Sequence, residues 1–200
     1  GIAYVSAKAG IEVILLDREL EFANKGKDYS RAILEKGIKR KKTTQEKADK
    51  LLSLIKPTTD YADLEGCDLI IEAVLEDPKV KADVTQKTQA VVPEGCIYGS
   101  NTSTLPISML AKASQDESKF IGIHFFSPVD KMPLVEIIMG KNTGEEALAK
   151  ALDYVRQIRK TPIVVNDSRG FYTSRCFMTY PVEATNMLHE GIAPALIENS

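Results

Sequence analysis

Short apolar runs rich in β-branched residues alternate along the chain with longer amphipathic stretches. The runs are IEVILLD (11–17), DLIIEAV (68–74), CIYGSN (96–101), FIGIHF (120–125), LVEIIM (134–139) and PIVVN (162–166). Strands that are apolar without strict alternation are covered on both faces, so the pattern predicts an α/β fold: a mostly parallel sheet with helices on both sides. Residues 19–54, 79–91, 106–114 and 145–159 read as the helices. FIGIHF and LVEIIM are separated by only eight residues, too few for a crossover helix. They are therefore expected to form an antiparallel pair, at one edge of the sheet. After Asn166 the pattern changes to a turn and one long helix closed near Gly191. This predicts a first domain over 1–166 and the beginning of a helical second domain over 167–200.

Composition narrows the class without naming a function. The 200 residues are 44% hydrophobic and 27% charged, with a net charge of −2, which provides no general basic footprint for nucleic acid. No apolar run reaches the length of a membrane span and no signal-peptide pattern opens the chain, so the cytoplasm, or the mitochondrial matrix in a eukaryote, is the expected location. The three cysteines, Cys67, Cys96 and Cys176, are widely spaced and odd in number. That fits a reducing compartment better than a disulfide framework or a metal knuckle.

The first strand run ends in Asp17, where a dinucleotide-binding unit places the carboxylate that bonds the adenosine ribose. A plain helix cap is the alternative at this position. Counting back about 20 residues to the usual glycine loop reaches a point before residue 1. The expectation is a Rossmann-like domain whose first strand and glycine loop precede this sequence, with GIAYVSAKAG (1–10) as the helix that follows the loop. On that reading the 200-residue chain alone is expected to have little activity. An Asp without a neighbouring cation favours NAD over NADP, although Arg18 weakens the argument.

His124 closes the run FIGIHF, and Glu136 is the lone carboxylate within LVEIIM. On neighbouring antiparallel strands the two could meet, the imidazole as a general base and the carboxylate as its orienting partner. The alternative is a histidine that merely ends a strand. His189 lies in the last turn before Gly191, where a charge favourable to a helix terminus explains it.

The runs EAVLEDPKVKADV, SNTSTLPIS, GIHFFSPVDKMPLVEII and KTPIVVNDSRGFYTSR occur in order and resemble the 3-hydroxyacyl-CoA dehydrogenase family, most of all the dehydrogenase part of multifunctional fatty-acid β-oxidation enzymes. The resemblance implies NAD as cofactor and a 3-hydroxyacyl-CoA as substrate. It implies His124, Glu136 and Ser103 as catalytic residues, with Ser103 and Asn101 at the substrate. Asp17, Glu76, Lys81 and Ser103 would meet the cofactor, Glu76 and Lys81 near its nicotinamide half. It implies no metal. It also implies a hydratase domain before this piece in the multifunctional enzymes, further helices after it, and assembly as a homodimer or within a larger β-oxidation complex. Two positions depart from the pattern. Ser174 in GFYTSR and Ser127 stand where relatives often carry Asn, and a hydroxyl cannot copy both ends of a carboxamide. Ser174 is kept as a substrate-side candidate with its role open.

The basic run EKGIKRKKTTQEK (35–47) is either a seat for coenzyme A phosphates, as the resemblance implies, or a solvated helix face. The resemblance implies NAD-dependent oxidation of an (S)-3-hydroxyacyl-CoA. The rivals are a single-function 3-hydroxybutyryl-CoA dehydrogenase and a non-catalytic NAD-binding protein of the same fold.

Overall fold

The computed structural model describes residues 1–199. Its strands are β1 (Val13–Leu16), β2 (Ile55–Thr58), β3 (Leu69–Glu72), β4 (Ile97–Ser100), β5 (Phe120–Phe125), β6 (Leu134–Met139) and β7 (Thr161–Asn166). Its helices are α1 (Ile2–Lys8), α2 (Leu20–Lys39), α3 (Gln45–Ser53), α4 (Pro78–Gln89), α5 (Ile107–Leu110), α6 (Glu145–Gln157), α7 (Thr173–His189) and α8 (Pro194–Glu198). β1 and β2 form a parallel two-stranded sheet, and the other five strands form a second sheet in the order β3-β4-β5-β6-β7. Every pairing in that sheet is parallel except β5 with β6.

The antiparallel pair forms as expected, but it is not at the sheet edge. The chain leaves β6, crosses through α6 and returns as β7, which pairs parallel to β6 on its outer side. β7 alternates between exposed and half-buried positions and carries Pro162, which suits an edge strand that need not donate every amide. β2 is a strand that the apolar pattern did not announce. Its IKPT sequence contains a proline and a lysine, and it is held by β1 in parallel register, Leu15 opposite Pro57.

The helix expected over 19–54 is two helices. Lys41 takes a left-handed backbone (φ 56°), and Thr44 then caps α3 by accepting from the Lys47 amide. The stretch 106–114 holds only one α-turn followed by a 3₁₀ turn. α7 ends where expected, with Gly191 at φ 84°, and the short α8 follows.

Period-two alternation along β5 and β6 sorts their side chains onto two faces. Ile121, Ile123, Phe125, Val135 and Ile137 pack with Val5 of α1 and Ala147, Ala151 and Val155 of α6. The Ser6 hydroxyl and Tyr154 phenol, 2.7 Å apart, join those two helices. Phe120 and Ile138 face the other way and pack with Ile107, Leu110 and Phe171. His124 and Glu136 belong to this second face. Gly122, two residues before His124, lets it close: a Cβ there would stand 2.8 Å from Ile138 and 2.9 Å from Ile107.

Candidate active site

The antiparallel register sets His124 directly opposite Glu136. Both are buried, and Nδ1 of His124 lies 2.8 Å from Oε2 of Glu136. The carboxylate takes three more donors. The amides of Tyr172 and Thr173 reach Oε1 at 3.1 and 2.8 Å, and the Thr173 hydroxyl reaches Oε2 at 2.6 Å. Burial pushes the Glu136 carboxyl up, but the hydrogen bonds from His124 and Thr173 outweigh it and hold the group below the ordinary glutamate value. An ionised carboxylate can only accept, so Nδ1 carries the proton, and in the neutral ring Nε2 of His124 presents its lone pair.

A tight turn aims α7 at this carboxylate. Gly170 and Phe171 both take left-handed backbones, φ 75° and 50°. For a buried phenylalanine that conformation costs about 1–3 kcal/mol, and the packing of Phe171 in the second core cluster offsets it. The result is that the first amides of α7 point at Glu136, where the helix terminus also favours negative charge. The rings of Phe126 and Phe171 flank His124, with centroids 4.5 and 6.1 Å away.

A second polar cluster closes the C-terminal ends of β3 and β4. Glu72 is buried and pairs with the buried Lys81 at 2.8 Å, while the Ser100 hydroxyl donates to its other oxygen at 2.8 Å. Lys81 also reaches Glu76 at 3.2 Å. Glu76 in turn organises the turn after β4: its Oε1 accepts from the Thr102 hydroxyl at 2.5 Å and from the amides of Ser103 and Thr104 at 3.0 and 3.2 Å. Burial raises the Glu76 carboxyl, and the Thr102 hydroxyl, the Lys81 charge and the Thr104 amide together bring it below its ordinary value. Asn101 Oδ1 accepts from the Phe125 amide at 2.8 Å and so ties this turn to the residue after His124.

The candidates named from the sequence thus fall into linked groups. His124 and Glu136 are in contact, Glu76 and Lys81 are paired, and Asn101 and Ser103 lie on the turn that Glu76 holds. The Ser103 side chain is exposed and makes no hydrogen bond among the described residues. Asp17 is exposed at the carboxyl end of β1, where one of its oxygens accepts from the Arg18 amide at 2.8 Å. Ser174 makes no side-chain hydrogen bond among the described residues; its neighbour Thr173 holds Glu136 instead. Sequence reasoning missed Glu72, Thr173 and Asp167. The last caps α5 by accepting from the amides of Ile107 and Ser108 at 2.9 and 2.8 Å. The available signal for Glu72 was a carboxylate inside an apolar strand, the same signal that marked Glu136.

Residues 1–168 match the family described as 3-hydroxyacyl-CoA dehydrogenase, NAD binding domain. The chain belongs to the 3-hydroxyacyl-CoA dehydrogenase family. Its cofactor is NAD, in keeping with the matched domain. Among solved structures, the domain is similar to (S)-3-hydroxybutyryl-CoA dehydrogenase PaaH1 from Ralstonia eutropha, at 35% identity and a TM-score of 0.93, covering 96% of this chain and 68% of that one. FadB2 of M. tuberculosis is 33% identical with a TM-score of 0.91 and the same coverage of both chains. The dehydrogenase part of multifunctional enzyme 1 from C. elegans is 29% identical with a TM-score of 0.76, covering 94% of this chain and 43% of that one. The family thus spans enzymes of one function and of several. In this dehydrogenase domain, no helix among the described residues is long and apolar enough to cross a membrane.

The residues present fit a dinucleotide. Asp17, the Glu72–Glu76 segment and the Ser100–Thr104 turn each stand at or just beyond the carboxyl end of a parallel strand, the place where such folds bind nucleotides.

Proposed function

We propose that this protein oxidises (S)-3-hydroxyacyl-CoA to 3-ketoacyl-CoA with NAD as hydride acceptor. The observation that carries the reading is the buried His124–Glu136 pair, 2.8 Å apart, with the imidazole Nε2 left to act as a base. His124 removes the hydroxyl proton, and Glu136, ionised by its four donors, stabilises the imidazolium that forms. NAD, when bound, would supply the acceptor for the hydride that leaves the carbinol carbon. The exposed Ser103 hydroxyl donates to the substrate oxygen, with Asn101 bracing the turn beside it. Asp17 would hold the adenosine ribose through the oxygen that accepts no hydrogen bond among the described residues. Glu76 and Lys81 shape the nicotinamide side by fixing the Ser100–Thr104 turn, and Ser174 is a substrate-side residue of lesser weight.

The coenzyme A half of the substrate has a seat of matching charge. A cavity of about 930 Å³ between α2, α3 and the turn after β5 is lined by Lys36, Arg40, Lys42, Lys47, Lys50 and Lys131. The basic run therefore bends around a concavity instead of lying along one solvated helix face, which supports phosphate binding. The narrower reading is the dehydrogenase part of a multifunctional β-oxidation enzyme, supported by the GFYTSR and MPLVEII segments. Its setting is a reducing aqueous compartment, cytoplasm or mitochondrial matrix, supported by three free cysteines. Assembly as a homodimer or within a larger complex is supported by exposed Phe177, Met178 and Tyr180 on α7. The test is NADH formation by the full-length protein with a series of (S)-3-hydroxyacyl-CoA thioesters of rising chain length. Substrate-dependent NADH is expected with at least one member; none with any member would reject the reading, and a preference for the four-carbon thioester would favour a single-function 3-hydroxybutyryl-CoA enzyme.

A further inference from the structure

Thr173 has no counterpart among the residues that the sequence singled out, yet it makes two of the four hydrogen bonds on Glu136. Its amide lies 2.8 Å from Oε1 and its hydroxyl 2.6 Å from Oε2. Oε2 is also the oxygen that accepts from His124 Nδ1. A hydroxyl donating to a buried carboxylate is a charge-assisted bond, about twice as strong as a neutral one. It withdraws charge from the oxygen on which the imidazole depends.

We propose that Thr173 is a positioning residue that sets the basicity of the His124–Glu136 pair and makes the pair depend on the seating of α7. The inference rests on the reading of His124 as the general base. Without the hydroxyl, Oε2 carries more negative charge toward His124 and holds the imidazolium more tightly. The ring is then protonated, and idle as a base, over a wider pH range. The backbone amides of Tyr172 and Thr173 cannot replace this effect, because both donate to Oε1.

No other ionisable group competes for the pair among the described residues. β7 sets Ile163 against Glu136 in register, and α5 contributes Ile107 to this face. On α7 the ionisable neighbours are Tyr172, Arg175 and Cys176, and the Arg175 guanidinium donates to the Ser168 hydroxyl at 3.4 Å. From β3 and α4, Glu72 and Lys81 are bonded to each other, and Glu76 to Lys81. On β4 the ionisable side chain is Tyr98, which stacks on Phe120.

Thr173→Val keeps the shape of the side chain and both amides while removing the hydroxyl; Thr173→Ser restores it. The first readout is the pH dependence of kcat/KM for oxidation. Thr173→Val is expected to move the acid limb about one unit toward higher pH, with roughly a tenfold loss on that limb and little loss on the plateau. Thr173→Ser is expected to follow wild type. The second readout needs no turnover: the chain has two histidines, His124 and His189, and an NMR titration of their rings follows His124 directly. The His124 midpoint is expected to rise by the same amount in Thr173→Val, with His189 unmoved. An unshifted His124 midpoint, or an equal shift in Thr173→Ser, would overturn the proposal. If Thr173→Val does not fold, Thr173→Ala is titrated instead under the same criteria. Absence of turnover in the full-length wild type would reject the dehydrogenase reading alone, since the ring titration still decides the role of Thr173.

Discussion

Two side chains carry most of the proposed chemistry, and among the described residues each donor or acceptor on them has a partner except Nε2 of His124. Replacing His124 with Ala removes the proposed base, and the expected loss in kcat is roughly 10²–10⁴-fold. Glu136→Gln is expected to preserve binding and lower kcat. An amide can still accept from Nδ1, but it brings no charge to the imidazolium, and its own NH₂ would face the amides of Tyr172 and Thr173. The double variant should be little worse than His124→Ala, because residues acting as one unit are non-additive. Steady-state kinetics of the three variants check this, and losses that multiply would refute the coupling. Asp17 supports a separate expectation. Its free oxygen can take a ribose hydroxyl and would repel a phosphate, so kcat/KM with NAD should exceed that with NADP, and Asp17→Ala should narrow the ratio.

At the scale of elements, the parts of the site that were legible in the sequence are those built from regular strands. FIGIHF and LVEIIM form strands over the expected residues, and their short connection forces the register that joins His124 to Glu136. What was not legible depends on backbone reversal and on chain returns. Lys41 at positive φ splits one long amphipathic pattern into α2 and α3. Pro57 hides β2, since a proline in a short run argues against a strand until β1 supplies the pairing. Thr173 was invisible for a similar reason: its meaning comes from the Gly170–Phe171 reversal that turns α7 toward β6, not from its own sequence neighbours. The α2–α3 bend carries a prediction of its own. Charge reversal of Arg40 and Lys47, which line the basic cavity, should raise KM for the acyl-CoA and leave kcat nearly unchanged. The dependence of KM on salt should weaken at the same time, because the lost attraction is the screened part of binding. Kinetics at two ionic strengths with each variant separate this from a folding defect, which would lower the active fraction regardless of salt.

Over the whole molecule, the same acids that organise the site also link its stability to pH. Glu136 and Glu76 both have carboxyl groups held below the ordinary value of 4.5. The unfolded chain binds their protons at or near that ordinary value, so in the window below it the unfolded state holds more protons than the folded one. Stability from these groups is therefore complete above about pH 4.5 and is lost as pH falls through their lower folded values. Glu136 is the stronger case, since its side chain is fully buried and its donors come from β5 and from α7, so protonating it loosens two elements at once. Glu136→Gln removes one such titration. At neutral pH the variant should be less stable by about 1–3 kcal/mol, the cost of leaving buried donors badly matched. For a chain of this size that lowers Tm by about 2–4 °C per kcal/mol. Below pH 4.5 its melting temperature should fall less steeply than that of wild type, so the two curves converge as acid is added. Thermal melts of both proteins from pH 7 down to acid test the argument. Parallel curves would show that Glu136 titrates alike in the folded and unfolded chains, and the ionised, four-donor carboxylate on which the site depends would then be wrong.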